Sequence, residues 1–424
     1  MTDRALFLAL AAVAAGAFPS PALAVQVGQP VNDAPAMRAE VQKRLKRIAE
    51  RGPAGVPDAL ALLLSPDDEA LFVDSEATQA LYEYLRSVPE ERLLDDLRVW
   101  MEPEHTIDDR LVAAGVLEHA GGARSVARLL DWFSEEEPAV LERPSVSRRI
   151  ENAMAGVLAR NAGAFDVLSM ELGRRNPRIR PLVARALGSV GRADGIPLLE
   201  GLMGNGFALD VIVLEALGSL DVRNLAQNAE YASTVVRRFW RSPNPGVRAQ
   251  VARSLAQLGH PDSVETLLGM LADEEEAVAR AAQSALRESS GRDFKGDAAR
   301  WREWHEAEQR WYEQSFTQLS TISTDDSDAW LAAIRELTGH RLYRRQTAQV
   351  LVGRLKSDAA EVVPLVVSSL VRLGDASVVA DLVELTRHSR PEVRRAAFTV
   401  LEELTRQSLP ETSKAWERWL TGVP

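Results

Sequence analysis

The sequence predicts an all-α fold, a right-handed solenoid (superhelix) of two-helix hairpins stacked side by side. Three observations carry that prediction. An apolar helix ending in Leu-x-x-Leu-Gly or a close variant, a short turn and a second apolar helix recur at spacings of about 30–40 residues. Residues 247–304 align without a gap with residues 362–419, closing on Trp301-x-x-Trp304 against Trp416-x-x-Trp419. Alanine, leucine, arginine, glutamate and valine dominate the 424 residues, and strand signals are sparse.

In chain order, residues 1–24 have the pattern of a signal peptide. Arg4 supplies a weak basic start, and Ala5 to Phe18 is a continuous apolar run. Pro19-Ser20-Pro21 breaks it, and Ala22-Leu23-Ala24 fits the small-x-small rule for cleavage after Ala24. The expectation is a periplasmic or extracellular protein. Residues 25–56 form a linker and a first helix over about 36–50, and 57–107 form irregular helices that start with one at about 57–64. A hairpin array spans 108–313 and ends in the Trp301/Trp304 helix. A polar joint covers 320–327, either a hinge or part of one rigid superhelix. A second, shorter array spans 328–424 and ends in the Trp416/Trp419 helix.

The hairpins follow from simple rules. Apolar residues at i, i+3, i+4 and i+7 give each helix one stripe to bury. Gly191, Gly259 and Gly374 follow the repeat helices, where a residue with φ > 0 stops a helix. Asn176-Pro177 and Asn244-Pro245 are N-caps followed by a proline in the first turn. One hairpin cannot bury its own stripe, so copies must stack. The tryptophan pairs, at i and i+3, share a helix face. They read either as lids on the array ends or as exposed platforms for a sugar or peptide.

Asn244-Pro245-Gly246-Val247-Arg248 and Arg390-Pro391-Glu392-Val393-Arg394-Arg395-Ala396-Ala397 resemble the start of short bacterial HEAT repeats, also found in phycobilisome-lyase-type proteins. The resemblance covers about 108–310 and 359–419. It implies that Arg248 and Arg394 each pair with an acidic residue of a neighbouring repeat. Leu286-x-x-x-Ser290-Gly291-x-x-Phe294-x-x-Asp297-x-x-x-Trp301-x-x-Trp304 is similar to the ending of repeats in exported bacterial HEAT proteins. The second copy keeps the tryptophans and lacks counterparts of Gly291, Phe294 and Asp297.

The chemistry carried by the sequence is thin. With no cysteine, thiolate nucleophiles, thiolate metal sites and disulfides are excluded. The six histidines form no HExxH pair and no metal-ligand spacing, and Trp304-His305-Glu306 reads as surface helix. No nucleophile elbow or phosphate loop occurs. The net charge of −11 disfavours nucleic acid as a partner. No catalytic residue, cofactor or metal is expected. Two arginine-rich stretches, Arg174, Arg175 and Arg178, then Arg237, Arg238, Trp240 and Arg241, are candidates for partner binding. Their ordinary reading is solvated helix ends paired with glutamate-rich turns. The function expected is a non-catalytic exported scaffold or adaptor that binds a protein partner. The alternatives are a carbohydrate- or cell-wall-binding module using exposed tryptophans, or an accessory subunit of an envelope enzyme.

Overall fold

The computed structural model describes residues 34–64, 75–102, 105–134, 136–173, 177–220, 225–323, 327–356 and 362–421. The expected signal segment lies outside them, as do Arg174, Arg175 and Asn176. Among the described residues the chain is helical, with no strand.

Four helices come first: α1 (Ala34–Glu50), α2 (Val56–Leu64), α3 (Ser75–Ser87) and α4 (Glu90–Arg98). Six hairpins follow. Their first helices are α5 (Ile107–Ala120), α7 (Pro144–Arg160), α9 (Arg180–Val190), α11 (Phe207–Gly218), α13 (Pro245–Leu258) and α15 (Glu276–Ser290). Each packs on the next, so one ridge runs unbroken from α5 to α15. The second helices are α6 (Ser125–Ser134), α8 (Gly163–Leu172), α10 (Ile196–Leu202), α12 (Leu225–Arg237), α14 (Ser263–Met270) and α16 (Ala298–Trp311). This is the predicted solenoid.

Local chemistry sets the boundaries. Thr106 and Asp109 form a capping box at the start of α5, which explains the Asp108-Asp109 pair as helix-start charge. The Asn244 side chain accepts from Val247 N at 3.2 Å, with Pro245 at the first position of α13. Gly191 and Gly259 both sit at φ 60° and end α9 and α13 as expected.

The second array comprises α17 (Ser327–Leu337), α18 (Arg344–Arg354), α19 (Val363–Leu373), α20 (Val379–Leu385), α21 (Pro391–Thr405) and α22 (Ser413–Thr421). The internal duplication is exact at two helix starts: 276 and 391, and 298 and 413, are each 115 residues apart. Both tryptophan pairs adopt the same edge-to-face geometry, with centroids 5.7 Å apart in each.

The second copy replaces the residues it lacks. Gly291 ends α15 at φ 71°, and Arg406 takes the same left-handed position at φ 57°. Phe294 lies edge-on to Trp301 at 4.8 Å, and Leu409 stands at the corresponding position in the second core. Asp297 caps α16 by accepting from the Ala299 and Arg300 amides, and Thr412 accepts from Ala415 N at the start of α22. One replacement is imperfect. Lys295, at φ 54°, turns its carbonyl to accept from Trp301 Nε1 at 2.9 Å. The corresponding residue is Pro410, whose ring forbids positive φ, and Trp416 Nε1 is buried without a partner.

Each array has its own apolar core. The first runs from Ile48 to Tyr343 and the second from Trp330 to Trp416, and Trp311 packs against both. Trp301 is fully buried, and Trp304 and Trp416 are buried, while Trp419 is half-buried. The pairs therefore seal array ends. Three of the four rings are thus buried, which weighs against the alternative of tryptophans exposed as a sugar platform.

Candidate functional site

The site is built where the second array turns back on the first. After α16 the chain continues through a π-turn, Tyr312–Phe316, and a short helix, Thr317–Ser320. After α17 it forms a single turn, Arg341–Tyr343, which runs into α18. That turn and the start of α18 carry Arg341, Arg344 and Arg345 onto the C-terminal ends of α13 and α15. Arg345 donates to the Leu258 carbonyl at 3.1 Å, and Arg344 lies against Gly259. Arg341 passes Gly291. Helix C-termini offer unpaired carbonyls and partial negative charge, so guanidinium groups dock there favourably. Arg344 also faces Asp375 at 3.5 Å, a carboxylate only 4% exposed, which links the α19–α20 turn to the same seam.

His340 completes the joint. Its ring stacks on Trp311 at 3.4 Å, tilted by 10°. Nδ1 lies 3.1 Å from the Glu308 carboxylate and Nε2 lies 3.4 Å from that of Glu336. Burial would lower its pKa, but the hydrogen bonds and charges of Glu308 and then Glu336 outweigh burial and hold it above the usual value.

Beside this seam lies a cleft of about 460 Å³, within the size range of ligand sites. Arg237 enters from α12, and His260, Asp262 and Glu265 come from the α13–α14 turn and α14. His305 and Gln309 come from α16, Tyr312 and Glu313 from the π-turn, and Tyr343 and Gln346 from the second array. Tyr312 and Tyr343 stack at 4.1 Å, 12° from parallel. His305 is buried, not on a surface helix as its neighbours suggested, because α14 packs against α16 and brings Glu265 to 3.5 Å from its ring. Burial lowers the pKa of both His260 and His305 against the opposing pull of Asp262 and Glu265 respectively, so both are neutral at pH 7. The Tyr343 phenol is pushed up to about 12, by burial first and then by the charges of Glu308, Tyr312, Glu313 and Asp262. Three carboxylates, of Asp262, Glu265 and Glu313, line the cleft against the one guanidinium of Arg237. Among the described residues, no group of three or more His, Asp or Glu is placed to hold a metal ion.

The arginine candidates are largely engaged within the chain. Arg237 donates to Thr234 Oγ1 at 3.0 Å and to the Asp262 carbonyl at 3.2 Å. Arg238 pairs with Glu200, which also accepts from the Tyr231 hydroxyl. The Arg241 guanidinium covers the Trp240 ring at 4.4 Å, and that ring closes over Gly269 of α14. Arg178 is exposed at the start of α9, on a separate part of the array. Of the candidate arginines that are described, Arg237 alone lines the cleft.

The two repeat arginines differ. Arg248 is buried and grips Asp273 with two hydrogen bonds of 2.8 Å, and it donates to the Ser242 carbonyl at 2.9 Å. Arg394 donates instead to the carbonyls of His388 and Ser389, at 2.9 and 2.8 Å. Among the described residues no carboxylate pairs with it, and the position 25 residues on, which is Asp273 for Arg248, is Trp419 of the terminal helix.

Comparison with known proteins meets this geometry at one place. The family model for HEAT repeats matches residues 207–287, the stretch from α11 to within α15. Over residues 207–287 the chain is similar to HEAT repeats. The cleft borders that HEAT segment on one side, through Arg237, His260, Asp262 and Glu265. No curated protein matches the chain. A crystal structure of an engineered protein aligns at 17% identity, covering 66% of this chain and 97% of its own, with a TM-score of 0.23. At that score the alignment carries no argument about this HEAT array.

The sequence reading missed the cleft. Its residues come from five segments between 237 and 346, with no spacing to link them. The one available signal was the aromatic density from Trp301 to Tyr343, interleaved with His305 and His340.

Proposed function

We propose that the protein is a non-catalytic exported scaffold or adaptor that holds a protein partner on its solenoid surface. HEAT repeats generally serve protein interaction, and the observation that carries the reading is the HEAT match on the ridge that borders the cleft. A stacked array exposes an extended surface while each hairpin stays rigid, which suits a partner that lies along it. Export rests on the pattern of residues 1–24, and no helix among the described residues is long and apolar enough to cross a membrane. Burial of Trp301, Trp304 and Trp416 weighs against the carbohydrate-binding alternative. Chemical crosslinking in the native source, followed by mass spectrometry of the mature N-terminus and of captured proteins, tests the reading. It predicts a chain that begins at Val25 with a reproducible crosslinked partner. A chain that begins at Met1 or Thr2 sinks the export, and the absence of any crosslinked protein sinks the scaffold.

A further inference from the structure

We propose that the cleft at the joint receives an arginine side chain from an extended segment of the partner. This deepens the scaffold reading and rests on it. Charge comes first. Asp262, Glu265 and Glu313 line the cleft, against the single guanidinium of Arg237. Arg237 is already turned toward Thr234 and the Asp262 carbonyl. The Asp262 and Glu265 side chains are 60% and 74% exposed, although Asp262 lies 4.0 Å from Arg237 and Glu265 lies 3.5 Å from His305.

Shape comes second. The Tyr312 and Tyr343 rings, stacked on each other, line one side of the cleft, and a planar guanidinium packs against aromatic groups better than a compact ammonium. The carboxylates come from separate elements, the α13–α14 turn, α14 and the π-turn. Five N–H donors in a fork reach spread acceptors, whereas an ammonium acts as a point charge. Rigidity comes third. Both walls are fixed by the seam, where Arg345 binds the end of α13 and His340 stacks on Trp311. A preformed site of this kind loses little entropy when it is filled.

The test uses the full chain and three fluorescein-labelled peptides, Ser-Arg-Ser-Arg-Ser-Arg and its lysine and citrulline counterparts, read by anisotropy at physiological salt. Citrulline keeps the shape and removes the charge. The arginine peptide is expected to bind, the lysine peptide to bind about threefold more weakly, and the citrulline peptide not to bind. The D262N/E265Q/E313Q variant is expected to lose about tenfold in affinity, and Tyr312→Ala about threefold. A control variant, E276Q/E392Q/E402Q, removes as many exposed carboxylates elsewhere and is expected to change affinity less than about twofold, since distant surface charges are screened. Circular dichroism and thermal midpoints establish that each variant is folded. Failure of the arginine peptide to bind overturns the proposal, as does equal binding of the lysine peptide or an equal loss in the control variant. A crosslinked partner captured equally by the wild-type chain and the cleft variant overturns the cleft assignment and leaves the scaffold standing. Arginine-peptide binding with no protein partner at all supports the cleft and overturns the scaffold.

Discussion

Replacing Gly259 by alanine should cost more than replacing Gly374, although both glycines end equivalent helices in the same backbone conformation. Their φ values are 60° and 62°. Forcing an L-residue into that region costs about 1 kcal/mol. At Gly374 the nearest atom to an added Cβ is the Val371 carbonyl oxygen at 3.9 Å, so the conformational strain is the whole effect. At Gly259 an added Cβ collides with Arg344 Nη2. Arg344 must then shift, which weakens its 3.5 Å contact with the buried Asp375 carboxylate. Leaving such a group poorly paired costs about 1–3 kcal/mol. The sum for Gly259→Ala is about 2–4 kcal/mol, against about 1 kcal/mol for Gly374→Ala. Because stacked repeats can open in pieces, the assay is urea denaturation combined with residue-level hydrogen exchange. Exchange should accelerate in α18 and in the α19–α20 turn for Gly259→Ala, and only near α19 for Gly374→Ala. In an Arg344→Ala background, Gly259→Ala should fall to about 1 kcal/mol, a coupling of about 1–2 kcal/mol. Equal costs for the two glycines, or a cycle with no coupling, would refute the packing of Arg344 on the end of α13.

Four further outcomes concern the repeat arginines, the tryptophans and His340. Arg248→Ala should destabilise the array by about 3 kcal/mol in urea melts, because it strands the Asp273 carboxylate, which Arg248 holds below the usual range. Arg394→Ala, which loses only carbonyl contacts, should cost about 1 kcal/mol. Trp301→Phe should cost about 1 kcal/mol more than Trp416→Phe in thermal melts, since only Trp301 Nε1 has an acceptor to lose. His340 has a folded pKa above its usual 6.5, so the stability it gives is fully present below pH 6.5 and lost as pH rises through the higher folded value. The stability difference between wild type and His340→Gln, measured by urea melts from pH 5 to 9, should therefore shrink with rising pH. His260 and His305 are depressed in the fold, so they act in the opposite sense in both proteins and cancel from that difference.

The fold was legible because its determinants are local. A glycine after Leu-x-x-Leu, an asparagine before a proline and an apolar stripe each act within a few residues, and the duplicated segment repeats them in register. Even the departures of the second copy were visible, although what replaced them was not: Arg406 holds the left-handed position that Gly291 holds in the first copy. The irregular region after 57 resolves into α2, α3 and α4 where it is described, flanking the same core. The candidate site was illegible because it is a product of docking. Arg341, Arg344 and Arg345 read as ordinary surface charge until helix ends some 50–90 residues earlier are placed against them. His305 reads as a surface residue because what buries it arrives from elsewhere in the chain. The arginine stretch at 237–241 did mark one edge of the cleft, but its charges are largely spent on Glu200, Asp262 and Trp240.

The cleft exists only if the two arrays form one body across the seam. The absence of native cysteine allows spin labels to be placed at will. Cysteines at Glu276 on α15 and Glu384 on α20, both exposed helix positions, carry the labels for electron–electron double resonance. The prediction is a single narrow distance distribution that broadens when Arg344 and Arg345 are both replaced by alanine. A broad distribution in the otherwise unaltered chain would show that the joint at 320–327 is a free hinge and would contradict the account.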